Sequence, residues 1–283
     1  MTDTNAIELG IAHLPLLAYG PPELFEVAAK AGYRRVGLRM HSAAPGTTVY
    51  PVTHRDVPAL RAAARAAGVE IFDAEFISMT RDLDVGGLDA WMAIAAELGA
   101  RRVNCGASGD DPDVERNVER FAALCDVAAR HGLAVDLEFM RWRKPIASIG
   151  DAVDIVTRAA RPNGHILVDL LHVVRSGGTA ADLARVPARL IGHVQLSDAP
   201  RAQPPEAGII AEAREGRLPP GEGELPLVEL MNALPAGVPL STEAVTTRSL
   251  PELSPLASAI RAREGALRML AQWRPRAEPG VAR

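Results

Sequence analysis

The sequence predicts a single (β/α)8 barrel, and three observations carry that prediction. Ala-rich stretches with helical character end in a small residue plus glycine, and a short apolar run follows each. The instances are AKAGYRRVGL around Gly32, RAAGVEIFDAEF around Gly68, AELGARRVNC around Gly99, ARHGLAVDLEF around Gly132, RPNGHILVDLL around Gly164 and LPAGVPLSTEAV around Gly237. Their spacing is nearly constant, at 36, 31, 33 and 32 residues, with a last gap of 73 that holds one further apolar run, LIGHVQLSD from Leu190. The length of 283 residues then fits one such barrel, a fold of typically about 250 residues.

Each unit has a physical reading. Glycine past a helix end accepts the left-handed conformation that terminates it. A short apolar run after it reads as a strand buried on both faces, as in parallel sheets. Taken in order, the strands are expected at 7–13, 34–40, 69–76, 101–106, 133–139, 165–170, 190–197 and 238–244. The competing doubly wound sheet lacks its usual support, because no GxGxxG follows the first strand. One domain is expected over residues 1–276. It carries an extended Pro/Gly-rich segment at about 199–224 after strand seven, of a length usually found in lids or disordered loops. Residues 277–283 read as a flexible tail.

Composition excludes several classes of function. With 35 acidic against 31 basic residues the net charge is −4, and no basic face for nucleic acid is expected. Only 4% of residues are aromatic, too few for base-stacking platforms. Cys105 and Cys125 form neither a disulfide framework nor a CxxC zinc motif, so a reducing cytoplasm is the expected location. The N-terminal residues lack a signal-peptide pattern, and no apolar run of about 18 residues marks a membrane span.

In barrels the reactive residues sit at the C-terminal strand ends. Here those positions carry His13, Arg39 and His41, Glu75, Asn104 and Cys105, Glu138, Asp169, Gln195 and Glu243. Glu138, Asp169 and Glu243 each follow an apolar run, so each carboxylate faces a partly buried site and needs a partner. Three converging acids require a cation between them, and an oxygen-rich donor set favours a hard divalent ion. Gln195 offers a neutral carbonyl oxygen at the fourth position. The alternative is that each acid pairs separately with an arginine. His172, three residues after Asp169, is either a substrate contact or a packed residue. By strand parity His193 shares the face of Gln195 but lies deeper, which reads as structural.

These residues resemble the sugar phosphate isomerase/epimerase superfamily with a xylose-isomerase-like barrel, over nearly the whole chain. The most specific pieces are LEF (137–139), VDLLH (168–172), GHVQLSD (192–198), PGEGELPL (220–227) and STE (241–243). The resemblance implies one divalent metal ion (Mg, Mn, Co or Zn) held by Glu138, Asp169, position 195 and Glu243. Position 195 departs from the pattern, with Gln for the usual His. The segment QLSDAP, Gln195 to Pro200, is similar to a branch that includes bacterial 3-dehydroshikimate dehydratases. The resemblance also implies substrate contacts from His172, in D-x-x-H, and from Arg201, six residues after the strand-seven ligand. A base found two residues after the strand-five Glu in another dehydratase branch has no counterpart, since Met140 stands there.

The expected chemistry starts with metal chelation of a carbonyl and a neighbouring hydroxyl of a small polyhydroxy carbonyl substrate. A carboxylate then removes the α-proton to give an enediolate, with Glu138 and Glu243 as the catalytic pair. Reprotonation gives an isomerase or epimerase. Loss of a β-hydroxyl gives a lyase, as in dehydration of 3-dehydroshikimate, and Arg39, Arg201 or Arg217 then clamps a carboxylate. A DNA-repair endonuclease on the same barrel needs more histidines than the seven present and a basic groove. A non-catalytic metabolite-binding barrel would not need the acid set. A homodimer is a plausible assembly on base rates.

Overall fold

The computed structural model describes residues 8–41 and 46–276. Eight parallel strands close into a barrel in chain order: β1 (Gly10–Ile11), β2 (Arg35–Arg39), β3 (Glu70–Met79), β4 (Arg102–Ala107), β5 (Ala134–Glu138), β6 (Gly164–Asp169), β7 (Ile191–Leu196) and β8 (Leu240–Thr242). β8 pairs with β1 to complete the ring. Ten helices surround it: α1 (Pro21–Lys30), α2 (Val57–Ala67), α3 (Asp89–Leu98), α4 (Val114–Arg130), α5 (Ile149–Ala159), α6 (Leu170–Arg175), α7 (Ala180–Arg185), α8 (Ile209–Glu215), α9 (Leu227–Asn232) and α10 (Pro255–Leu270). Among the described residues no helix is long and apolar enough to cross a membrane. The tail at 277–283 lies outside the described residues.

The glycine punctuation has the expected cause at α2 and α3, which end at Gly68 (φ 70°) and Gly99 (φ 104°) in the left-handed region. Gly164 differs. Ala160 (φ 51°) ends α5, and Gly164 opens β6 instead. A Cβ there would meet the Phe121 ring at 3.0 Å and the Cys125 sulfur at 3.1 Å, so close packing of α4 on the sheet is what requires glycine. Helix starts follow side-chain chemistry: Ser148 with Asp151 and Thr179 with Asp182 form capping boxes on α5 and α7.

Strand lengths depart from expectation at β1, β3 and β8, the last reduced to Leu240–Thr242. β1 is short because the chain turns at His13, where the imidazole Nδ1 accepts the Arg39 amide (2.9 Å). β3 runs on to Met79 with an irregularity against β4 between Ala74 and Ile77, which re-aims Glu75 and Phe76 toward the mouth.

The barrel interior carries a polar layer. Asp73 accepts from Asn104 Nδ2 (3.0 Å), Arg102 Nη1 bonds both Asp136 oxygens (2.9 and 2.6 Å), and His193 Nε2 meets Ser241 Oγ (2.9 Å). Arg102 also reaches the Gly192 carbonyl across the ring (2.9 Å).

Segment 199–224 is more structured than its Pro/Gly content implies. It contains a 3-10 turn at Glu206–Gly208 and helix α8, then returns to the barrel through a bridge between Leu218 and Asp198. Asp198 anchors it: Oδ1 accepts from the amides of Ala199 (2.8 Å) and Leu225 (3.1 Å), and Oδ2 from Gly221 (2.9 Å). The segment therefore lies over the C-terminal mouth, with Ala213, Arg214, Glu215 and Arg217 facing the cavity beneath.

Candidate active site

A cavity of about 270 Å³ opens at the C-terminal strand ends. Its wall includes Arg39, Glu75, Asn104, Glu138, Met140, Trp142, Arg143, His172, Gln195, Arg217 and Glu243. The strand ends do the positioning. Glu138 closes β5, Asp169 closes β6 opposite Gln195 of β7, and Glu243 follows β8 with its amide on the Leu196 carbonyl (3.0 Å).

Asp169 serves two neighbours. Its Oδ1 accepts the amides of Leu171 (2.7 Å) and His172 (3.3 Å), capping α6. Its Oδ2 takes Nη1 of Arg217 at 2.5 Å. Burial alone would raise this carboxyl, but Arg217 and the cap hold it below the usual range. Arg217 is itself buried and spans two acids, since its Nη2 lies 2.9 Å from Glu243 Oε2. Its Nε donates to the Ala213 carbonyl (2.6 Å) and Nη1 also reaches Ser197 Oγ (3.1 Å). Burial raises Glu243 to about 8 against the pull of Arg217.

Glu138 is different. Among the described residues no arginine lies within ion-pair distance of it; its Oε1 faces His172 Nε2 at 3.5 Å. Burial, with Glu243 and Asp169 nearby, pushes it well above the normal carboxyl range. Burial also lowers His172 to about 4, so its imidazole is neutral at pH 7. Trp142 packs edge-on to that ring at 5.1 Å, which puts it in the site. His172 Nδ1 and Gln195 Oε1 are buried with no hydrogen-bond partner among the described residues.

The arginine alternative thus accounts for two of the three acids. Asp169 and Glu243 share one arginine, while among the described residues none pairs with Glu138. One ligand atom each from Glu138, Asp169 and His172 lies within 4.8 Å of the others, a separation that suits a single cation. Three of these donors are carboxylate or imidazole groups, and the orphaned Gln195 oxygen adds a fourth at the same cavity, so the residues fit a divalent ion. His172, expected at the substrate, lies in this group; Glu243, expected among the ligands, is not part of it and is paired with Arg217.

Among the arginines the outcome is divided. Arg39 lines the cavity but is tied to Glu75 (2.7 Å), whose other oxygen accepts the His13 amide (2.8 Å). Arg217 lies at the centre of the acids. Arg201 is exposed and outside the cavity; its amide donates to Glu224 (3.0 Å) and its carbonyl accepts from Arg175 (3.5 Å). The chain turns outward after the buried Ala199, which carries the Arg201 side chain away from the mouth. Arg143 was missed by the sequence reading. It is buried on the cavity wall, with Nη1 on the Ala107 carbonyl (2.8 Å) and Ser78 Oγ (3.1 Å). Its place in RWRKP, directly after strand five, is the signal that marks it.

Comparison with known proteins agrees with this fold. A 100-residue stretch, 35% of the chain, is 29% identical to 3-dehydroshikimate dehydratase of Pseudomonas aeruginosa, and spans 15% of that protein's length. Among solved structures, a xylose isomerase-like TIM barrel/4-hydroxyphenylpyruvate dioxygenase fusion protein superposes with a TM-score of 0.75 at 21% identity, covering 97% of this chain and 46% of that one. The IolI protein with a bound zinc atom gives 0.78 at 16% identity over 94% and 99% of the two chains. D-psicose 3-epimerase in the presence of D-fructose gives 0.68 at 15% identity over 94% and 97%. At these identities the superpositions establish the fold. The profile of the xylose isomerase-like TIM barrel matches residues 25–261, and the chain belongs to that family.

Proposed function

We propose that this protein is a divalent-metal-dependent enzyme that removes the proton α to the carbonyl of a small polyhydroxy substrate, as an isomerase or epimerase. The observation that carries the reading is the buried group of Glu138, Asp169 and His172 at the barrel mouth, with the unpartnered Gln195 oxygen beside it. These four residues would hold the cation. When bound, the cation supplies Lewis-acid polarisation of the substrate carbonyl.

The chain's own residues supply the rest. Glu138 is the base: it faces the cavity, no arginine among the described residues lies within ion-pair distance, and a cation held beside it would offset the burial that otherwise keeps it protonated. Neutral His172, whose Nε2 lies 3.5 Å from Glu138, keeps its lone pair for the cation. Glu243 returns a proton: burial holds it protonated to about pH 8, which suits an acid at neutral pH. The Trp142 and Met140 side chains shield the reacting carbon from water.

A second reading is elimination of a β-hydroxyl, dehydratase chemistry. It is favoured by the similarity to the Pseudomonas aeruginosa dehydratase and by Arg143 and Arg214 on the cavity wall, which suit a substrate carboxylate. Incubation with candidate polyhydroxy carbonyl compounds in deuterated water tests both. Exchange of the α-proton is expected in either case, and it should stop on chelation. Exchange that survives complete metal removal overturns the metal-dependent reading. With 3-dehydroshikimate, a rise in aromatic ultraviolet absorbance identifies the lyase, and exchange without absorbance identifies the isomerase.

A further inference from the structure

We propose that Arg217 is a built-in rival of the divalent cation, and that metal binding displaces its guanidinium from Asp169. This inference rests on the metal reading above. Its first support is the division of labour at Asp169. Oδ1 is committed to the amides that start α6, so only Oδ2 is available to the site. That oxygen lies 3.9 Å from His172 Nε2, on the side of the cation group, yet Arg217 Nη1 already holds it at 2.5 Å.

The second support is that the same guanidinium holds Glu243 through Nη2 at 2.9 Å. One positive charge thus occupies two of the three acids. In a buried site a guanidinium and a divalent ion sharing one carboxylate repel each other strongly. A cation that ligates Asp169 must push the guanidinium off Oδ2.

The third support is the way Arg217 is mounted. Its backbone amide is fixed on the Val245 carbonyl (2.9 Å), and its neighbour Leu218 exchanges two bonds with Asp198 (2.8 Å each). The main chain is pinned and Nε is anchored on the Ala213 carbonyl (2.6 Å), so the displacement is a turn of the guanidinium about that anchor. Leaving Asp169, it stays beside the cavity it lines. There it meets the anionic groups of a bound substrate, so cation and substrate anion take successive turns as its neighbours.

The test is a Mn²⁺ titration read by the paramagnetic resonance signal of the free ion, on the wild type, Arg217→Met, Arg217→Lys and Arg214→Met. Arg217→Met is expected to bind Mn²⁺ at least tenfold more tightly than the wild type. Arg217→Lys should fall between, since an ammonium does not bridge both carboxylates. Arg214→Met, which alters charge at the cavity without touching the acids, should stay within twofold. Should Arg217→Met fail to fold, a gain of threefold or more in Arg217→Lys decides the matter. Equal affinity in wild type and Arg217 variants, or an equal gain in Arg214→Met, overturns the rivalry and leaves the metal reading standing. No Mn²⁺ binding by any of the proteins overturns both.

Discussion

Glu138 and Glu243 are chemically the same side chain, and their surroundings give them different tasks. Glu243 accepts a bond from the buried Arg217 guanidinium, and weakening that acceptor leaves a buried donor poorly satisfied at a cost of about 1–3 kcal/mol. Among the described residues no arginine or lysine is ion-paired to Glu138. Glu138→Gln is therefore expected to lower turnover by about 10²–10⁴-fold with an unchanged or higher melting temperature. Glu243→Gln should lose both activity and stability, because Arg217 then keeps only Asp169. Steady-state rates and thermal melts on the two variants check this contrast. Wild-type turnover in Glu138→Gln would clear that residue of the base role.

Segment 199–224 shows how an element assembled from weak local signals is fixed by tertiary contacts. Its helix α8 is short, and its Pro and Gly content hides any helical period. What orders it is Asp198, whose two oxygens gather three amides. Asp198→Ala leaves those donors without acceptors, at a cost of about 1–3 kcal/mol each where they stay dry. The expected outcome is a lower melting temperature and protease cleavage within 199–224, with the rest of the barrel resistant. A second contact comes from α10, where Gly265 lies against the Pro220 carbonyl so closely that a Cβ would collide with it. Helix propensity favours Ala over Gly by about 1 kcal/mol. Gly265→Ala should nonetheless destabilise the protein and loosen the same segment, and a raised melting temperature would contradict this packing. The segment also decides which arginine reaches the mouth. Counting six residues from Gln195 selects Arg201, but the chain leaves the mouth there and re-enters only after α8, bringing Arg217 to the acids.

At the level of the whole barrel, the eight strands were legible because each βα unit repeats one steric demand, a left-handed residue or a close approach behind each helix. That Glu138, Asp169, Gln195 and Glu243 gather at one end of the barrel was legible because each ends a strand of the same parallel ring. The pairing of those groups was not, since strand parity fixes a face and leaves the partner across the ring open. His193 is the clearest case: parity placed it deep, and the fold adds Ser241 on Nε2 and the Phe72 ring edge-on at 5.3 Å. Burial, with Arg102 adding to it, lowers its imidazole to about 3. In the unfolded chain the same group takes a proton below about 6.5. The unfolded state therefore binds the extra proton between those values, and stability falls as pH drops from about 6.5 toward 3. The slope from this one group is about 1.4 kcal/mol per pH unit. Asp169 and Glu75, held low by their arginines, add acid sensitivity at lower pH; Glu138 and Asp73, held high, act in the opposite sense as pH rises. His193→Gln keeps a polar group beside Ser241 but does not titrate. Urea unfolding at pH 7, 6, 5 and 4 should give a pH dependence shallower by close to one proton in the variant. An unchanged slope would mean that the unfolded chain gains no proton at this position that the folded barrel refuses.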